Sequence, residues 1–149
     1  MIELKNVSTQ EKQGVQALEN FSLIVRNGEL RVLGRGIGEA VVNAILGFQP
    51  VTAGFVCFDG MPMTEKSAFF LRKMIAYVPA PEGFEKVVDC AKKQLEMVES
   101  AVNGDSDIVL CIDPTSHQSE ETARTVMAAL REKASKGSVV IVATDRDDL

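Results

Sequence analysis

Five residues, Gly34-Arg35-Gly36-Ile37-Gly38, carry the clearest chemical signal in the chain. They follow a short apolar run, Leu30 to Leu33, and precede Glu39 to Leu46, which has helix-compatible composition and stops at Gly47. Strand, glycine-rich turn and helix in that order aim several backbone N–H groups at one point beside the positive end of a helix dipole, a geometry suited to phosphate. Working phosphate chemistry needs more. A lysine must reach the β- and γ-phosphates and a serine or threonine hydroxyl must meet magnesium, in the spacing Gly-x-x-x-x-Gly-Lys-Ser/Thr. Here Gly38 is followed by Glu39, Ala40 and Val41, and neither lysine nor arginine stands between Arg35 and Lys66.

The candidate nucleotide-binding residues are therefore a remnant: Gly34, Arg35, Gly36, Ile37, Gly38 and Glu39. Glu39 occupies the place of the lysine charge, and a carboxylate near a helix N-terminus is itself a favourable partner for the dipole. We expect it to fill the phosphate position from within. Its charge opposes a triphosphate, which argues against tight ATP binding. Arg35 is the one cation able to substitute from the other side of the turn. A dinucleotide site fits less well, because the glycines are spaced Gly-x-Gly-x-Gly, although Asp59 lies at about the right remove for a ribose contact.

Several elements must position these residues. Ile2 to Val7 and Phe21 to Val25 alternate as half-buried strands joined through the polar stretch Ser8 to Gly14, which predicts an antiparallel N-terminal portion. A strand at Gly54 to Phe58, a turn at Asp59 and Gly60, a helix from near Thr64 and a strand at Met74 to Val78 closed by Pro79 and Pro81 come next. Val88, Ala91, Leu95, Val98 and Val102 recur at helical steps and read as core packing. Ile108 to Ile112 is apolar without alternation, as in a parallel strand covered on both faces. Ser119 is a candidate N-cap for a helix whose face is Ala123, Val126, Met127, Leu130 and Ala134, with Glu120 and Glu121 at its positive end. Gly137 stops it before a last strand, Ser138 to Ala143.

The 149 residues, 46% of them apolar, suffice for one domain over 1–149 without disulfides or metals. A net charge of −5 supplies no field for nucleic acid or anionic lipid. Cys57, Cys90 and Cys111 sit far apart among apolar neighbours and read as structural thiols of a reducing compartment. The chain opens on a strand-like segment with no leader, and no apolar run nears the roughly 20 residues of a membrane span, so a cytoplasmic location is expected.

Ala17-Leu18-Glu19-Asn20-Phe21-Ser22-Leu23, Asn27-Gly28-Glu29, Ala44-Ile45-Leu46-Gly47, Thr52-Ala53-Gly54 and Asp59-Gly60 are similar to the first third of ATP-binding-cassette (ABC) transporter ATPases. Ile75-Ala76-Tyr77-Val78-Pro79 and the block from Asp113-Pro114-Thr115-Ser116 through Glu121-Thr122-Ala123-Arg124 to Val139-Val140-Ile141-Val142-Ala143-Thr144 extend the resemblance along nearly the whole chain. The resemblance implies an α/β fold: a P-loop NTPase-like mixed sheet with flanking helices and an N-terminal antiparallel β portion.

It also implies where function should lie. The family's adenine-stacking aromatic falls near Lys12, where Ser8 to Gln16 holds no aromatic. Its γ-phosphate-sensing glutamine is matched by Ala80, and its Walker B pair by Ile112 and Asp113, leaving Asp113 as a remnant. The Leu-Asp of the next loop reads His117-Gln118-Ser119, with His117 read as an exposed loop residue, and the switch histidine is replaced by Asp145. About thirty residues separate Ala80 from Asp113, with no Leu-Ser-Gly-Gly-Gln signature subdomain among them. These departures lead us to expect a catalytically inactive, non-enzymatic ABC-like domain without catalytic residues, metal or cofactor. It would act through a protein partner or self-association as a regulatory module, without nucleic acid or membrane insertion, and the lost subdomain argues against coupling to a permease. One alternative is a divergent nucleotide or anion binder using the amides of Gly34 to Gly38 with Arg35, taking ATP and magnesium weakly. Another is a relic, or a piece of a larger system.

Overall fold

The computed structural model describes residues 1–81 and 87–146, with the side chains at positions 65 and 87–90 outside the description. Strand alternation builds the N-terminal sheet. β1 (Ile2–Thr9) buries Ile2 and Leu4, then slips phase at Asn6, whose φ is 50°, so that Val7 and Thr9 point inward instead. The slip shifts the antiparallel pairing of β1 with both β2 (Phe21–Val25) and β4 (Val51–Phe58). Gly54 meets the bulge with φ 80°, and a Cβ there would lie 2.2 Å from the Asn6 carbonyl oxygen. A two-residue β5 (Met61–Pro62) completes the order β2-β1-β4-β5.

The second sheet is parallel, with the order β3-β8-β7-β6, where β3 is Leu30–Leu33, β6 is Ile75–Val78, β7 is Ile108–Ile112 and β8 is Val139–Ala143. All five residues of both β7 and β8 are buried, as the unbroken apolar runs require. Their side chains divide by parity. Ile108, Leu110, Ile112, Val139, Ile141 and Ala143 join α1 (Arg35–Leu46) and the antiparallel sheet in one core. Val109, Cys111, Val140 and Val142 join α3 (Val87–Asn103) and α4 (Glu120–Ser135) in the other. α1 thus lies between two apolar surfaces and is buried at seven of its twelve positions.

The helix ends are built as the sequence indicates. Ser119 caps α4 by accepting from the Thr122 N–H at 3.2 Å. Thr64 caps α2 (Glu65–Arg72) in a box with Ser67, whose hydroxyl accepts from the Thr64 N–H at 2.7 Å. The mixed α/β class and the antiparallel N-terminal portion agree with expectation. Most boundaries fall within one or two residues of expectation, and two starts differ by more. β4 begins at Val51 rather than Gly54, because the Gly54 bulge carries the strand across a residue that sequence alone marks as a breaker. α1 begins at Arg35 rather than Glu39, with consequences for the site. Among the described residues no helix is long and apolar enough to cross a membrane.

Candidate functional site

A parallel sheet gathers the C-terminal ends of its strands along one edge, where ligands of α/β folds bind. Here Leu33 O accepts from Thr144 N–H at 2.9 Å and Ala143 O accepts from Asp113 N–H at 2.8 Å, so the ends of β3, β8 and β7 lie side by side. Between β3 and α1 stands a single residue, Gly34, with φ −54° and ψ 149°. The expected five-residue glycine turn is therefore corrected: Arg35, Gly36, Ile37 and Gly38 form the first turn of the helix. Packing explains this. A Cβ on Gly38 would come within 2.5 Å of Ala143 Cβ and 3.2 Å of Leu33 Cβ, so glycine there lets α1 press against β8 from its first turn.

Arg35 is the hub of the edge. Its guanidinium pairs with Asp113 Oδ2 through Nη1, and its Nε meets Glu39 Oε2 at 3.2 Å, one helical turn on. Burial pulls its pKa down, but the two carboxylates outweigh that and raise it above its ordinary value. The Arg35 backbone N–H donates to Asp145 Oδ1 at 2.9 Å. Glu39 is therefore not the internal anion at the helix start: its side chain leaves the second turn to meet Arg35, while Asp145 comes from beyond β8 to the first amide.

Asp113 follows β7 with φ 47°, a left-handed conformation that aspartate tolerates better than most residues. Its carbonyl accepts from the buried Gln94 Nε2 at 3.3 Å, and the same nitrogen reaches Pro79 O at 3.4 Å, which ties the end of β6 to the edge. Gln16 covers the other flank: a Cβ on Gly36 would lie 2.4 Å from its Oε1. Buried Gln49 anchors that segment through Gln10 O at 2.8 Å and Gln16 O at 3.4 Å. Gln16, Gln49 and Gln94 went unnoticed in the sequence, where an isolated glutamine in a polar loop or on a helix carries no pattern.

The remaining expected positions are spread out. Lys12 reaches Phe48 O at 3.4 Å, Ala80 is half-buried against the first core, and Asp59 pairs with the Met1 amine at 2.7 Å in the β4–β5 turn. His117 is exposed with φ 63°. Cys57 and Cys111 are buried free thiols, and burial pushes the Cys111 pKa up to about 12; the side chain of Cys90 lies outside the described residues. Among the described residues no group of three or more His, Cys, Asp or Glu could hold a metal ion. An open groove of about 660 Å³ lies away from this edge, between the end of α1, β4 and α2, with Phe55 and Phe69 in its wall.

A triphosphate with magnesium does not fit the residues of this edge. One residue between strand and helix cannot wrap a phosphate, no lysine or hydroxyl follows Gly38, and Gln16 and Asp145 already lie on the first turn of α1. The carboxylate suited to a metal, Asp113, is engaged with Arg35.

No family model matches the chain. Over 81 residues it is 36% identical to the ATP-dependent lipid A-core flippases of Neisseria meningitidis serogroup B and Neisseria gonorrhoeae, a match covering 52% of this chain and 13% of theirs. Over 84 residues it is 33% identical to the glucose import ATP-binding protein TsgD13 of Haloferax volcanii, covering 53% of this chain and 15% of that protein. The matches thus span a small part of these relatives. Among solved structures, a dimeric bacterial ABC transporter cassette aligns over 99% of this chain and 89% of its own, with TM-score 0.72 and 20% identity. A nucleotide-free ATP-binding cassette aligns over 99% and 82%, with TM-score 0.73 and 16% identity.

The fold is that of ABC transporter ATP-binding subunits. Two expectations change with these likenesses. That the chain is no enzyme is overturned, since the relatives and fold neighbours alike point to the ATPase family. The argument against permease coupling also finds no support, since another neighbour, at TM-score 0.72, is part of a transporter complex.

Proposed function

We propose that the chain is a single ABC-ATPase-like core domain over 1–149, lacking the helical signature subdomain, that serves in the cytoplasm as a protein-interaction or regulatory module of an ATP-driven assembly. It carries no resident cofactor. The observation that carries this reading is Arg35 held between Asp113 and Glu39 at the edge where a nucleotide would need free groups. Exposed aromatics supply a surface for contact: Phe69 and Phe70 stack edge to face at 5.7 Å on α2, 62% and 67% exposed, and Phe69 shares the groove wall with Phe55. Titration calorimetry with ATP and magnesium tests the reading. We expect binding far weaker than micromolar, and micromolar binding would sink it.

A second reading is a weak nucleotide or anion binder in which Gly34, Gly36 and Ile37 offer amides and Arg35 the cation, the Gly38 N–H being spent on Gly34 O at 2.7 Å. The position of Arg35 at the start of α1 favours it. It predicts that Arg35→Ala weakens what binding there is and Glu39→Lys strengthens it; an affinity for magnesium ATP indifferent to both removes it.

A further inference from the structure

The groove between the end of α1, β4 and α2 stands apart from the Arg35 edge and shares no residue with it. Its volume of about 660 Å³ lies within the roughly 300–1,000 Å³ of small-molecule sites. Phe55 on β4 and Phe69 on α2, 61% and 62% exposed, bring two aromatic rings to its wall. Arg72 follows Phe69 by three positions, on the same side of α2, and is the only charged residue among the described groove residues. Its Nη2 donates to Leu46 O at 3.3 Å, at the C-terminal end of α1. Its other N–H groups meet no acceptor among the described residues, so the guanidinium can take an anion without giving up that bond.

Gln49 adds an observation of a different kind. It is 2% exposed, and its Nε2 donates to Gln10 O at 2.8 Å and Gln16 O at 3.4 Å. Two carbonyl oxygens on that side require the amide nitrogen there, which fixes the orientation of the group. The segment Gln10 to Gln16 contributes no residue to the groove wall, whereas Gln49 does. The amide therefore turns its nitrogen from the groove and keeps its oxygen for it. That Oε1 is buried and has no donor among the described residues, a costly state for an acceptor that a ligand N–H would relieve.

We propose that this groove is a binding site for a small aromatic acid that carries an N–H donor. The acid group pairs with Arg72, the ring lies against Phe55 and Phe69, and the N–H reaches Gln49 Oε1. A lone cation in an otherwise uncharged wall also selects against cationic ligands. The proposal goes beyond the reading of the chain as an interaction module and stands or falls separately from it.

The test uses the full chain with indole-3-acetate as probe, titration calorimetry for affinity and amide NMR for location. Saturable binding is expected, with shifts gathered at the Phe55 and Phe69 amides and none at Arg35. Arg72→Gln should weaken it about tenfold through loss of a charge-assisted pair. Phe69→Ala should weaken it several-fold, and it serves should Arg72→Gln misfold, because Phe69 belongs to neither core. Naphthalene-1-acetate, which keeps the ring and the acid but lacks the N–H, should bind several-fold more weakly than the indole. No saturation at millimolar probe, or an affinity within about twofold of the parent in both folded variants, overturns the site. Equal affinity for the two acids overturns the part given to Gln49.

Discussion

Arg35 faces two carboxylates whose claims on it differ in strength. Glu39 is an i,i+4 helical neighbour, a pairing worth only about 0.3–0.5 kcal/mol in most helices. Asp113 comes from the end of β7, so its pair also holds two elements together and should cost more to break; burial does not separate the partners, with the Asp113 and Glu39 side chains 23% and 26% exposed. A double-mutant cycle with Arg35→Ala and Asp113→Ala, read by urea unfolding, is expected to give a coupling of about 1–2 kcal/mol. The corresponding cycle with Glu39→Ala should stay below that, and the reverse order would displace Asp113 as the main partner. The chemical types at this site were legible in the sequence: an arginine among glycines, a glutamate for a lysine, one aspartate after a buried strand. Their pairings were not. The contact of Asp145 with Arg35 spans 110 positions, and no local pattern distinguishes Asp145 from the acidic residues around it.

Elements were legible wherever periodicity or caps spoke without competition. The unbroken run of β7, the Ser119 cap and the Thr64 start of α2 all sit where composition places them. The start of α1 is hidden in the sequence because glycine is a poor helix former, by about 1 kcal/mol relative to alanine, and three glycines in five residues read as a turn. Tertiary packing overrides that preference, since only glycine at position 38 lets α1 close on β8. Gly38→Ala is therefore expected to destabilise the fold by about 1–3 kcal/mol in urea, although alanine is the better helix former. Pairing it with Ala143→Gly should recover part of the loss. A stabilising Gly38→Ala would show that propensity, not packing, governs the turn. On α4, Ser119→Ala should cost about 1 kcal/mol by the same measurement, through loss of the 3.2 Å cap.

Across the whole molecule, stability is concentrated where the two cores meet the parallel sheet. Amides of β7 and β8 are expected to exchange with solvent most slowly, and those of the outer strands β2 and β5 most quickly. Cys111 offers an independent probe of the same interior. Its thiol, buried and pushed up to about 12, stays protonated at neutral pH and should resist a thiol-reactive dye until the sheet unfolds. Labelling at the rate of a free thiol in the native protein would contradict that burial. The surface pair Phe69 and Phe70 contributes little to either core, so Phe69→Asp with Phe70→Asp should leave the urea midpoint nearly unchanged while weakening association with a partner or a second copy, read by sedimentation or cross-linking.

The single residue between β3 and α1 also limits what substitution can do at this edge. With α1 seated on β8 from its first turn, a lysine at position 39 would project from an already formed helix, with no loop beneath it to fold around a phosphate. Charge reversal there can attract an anion but cannot enclose one. Building a cradle would take inserted residues ahead of Arg35, release of Asp145 and withdrawal of Gln16, and the inserted residues alone would lengthen a connection that Gly38 holds tight. Each intermediate along that route loses packing before it gains a ligand, so a phosphate cradle at this edge lies out of reach of single substitutions.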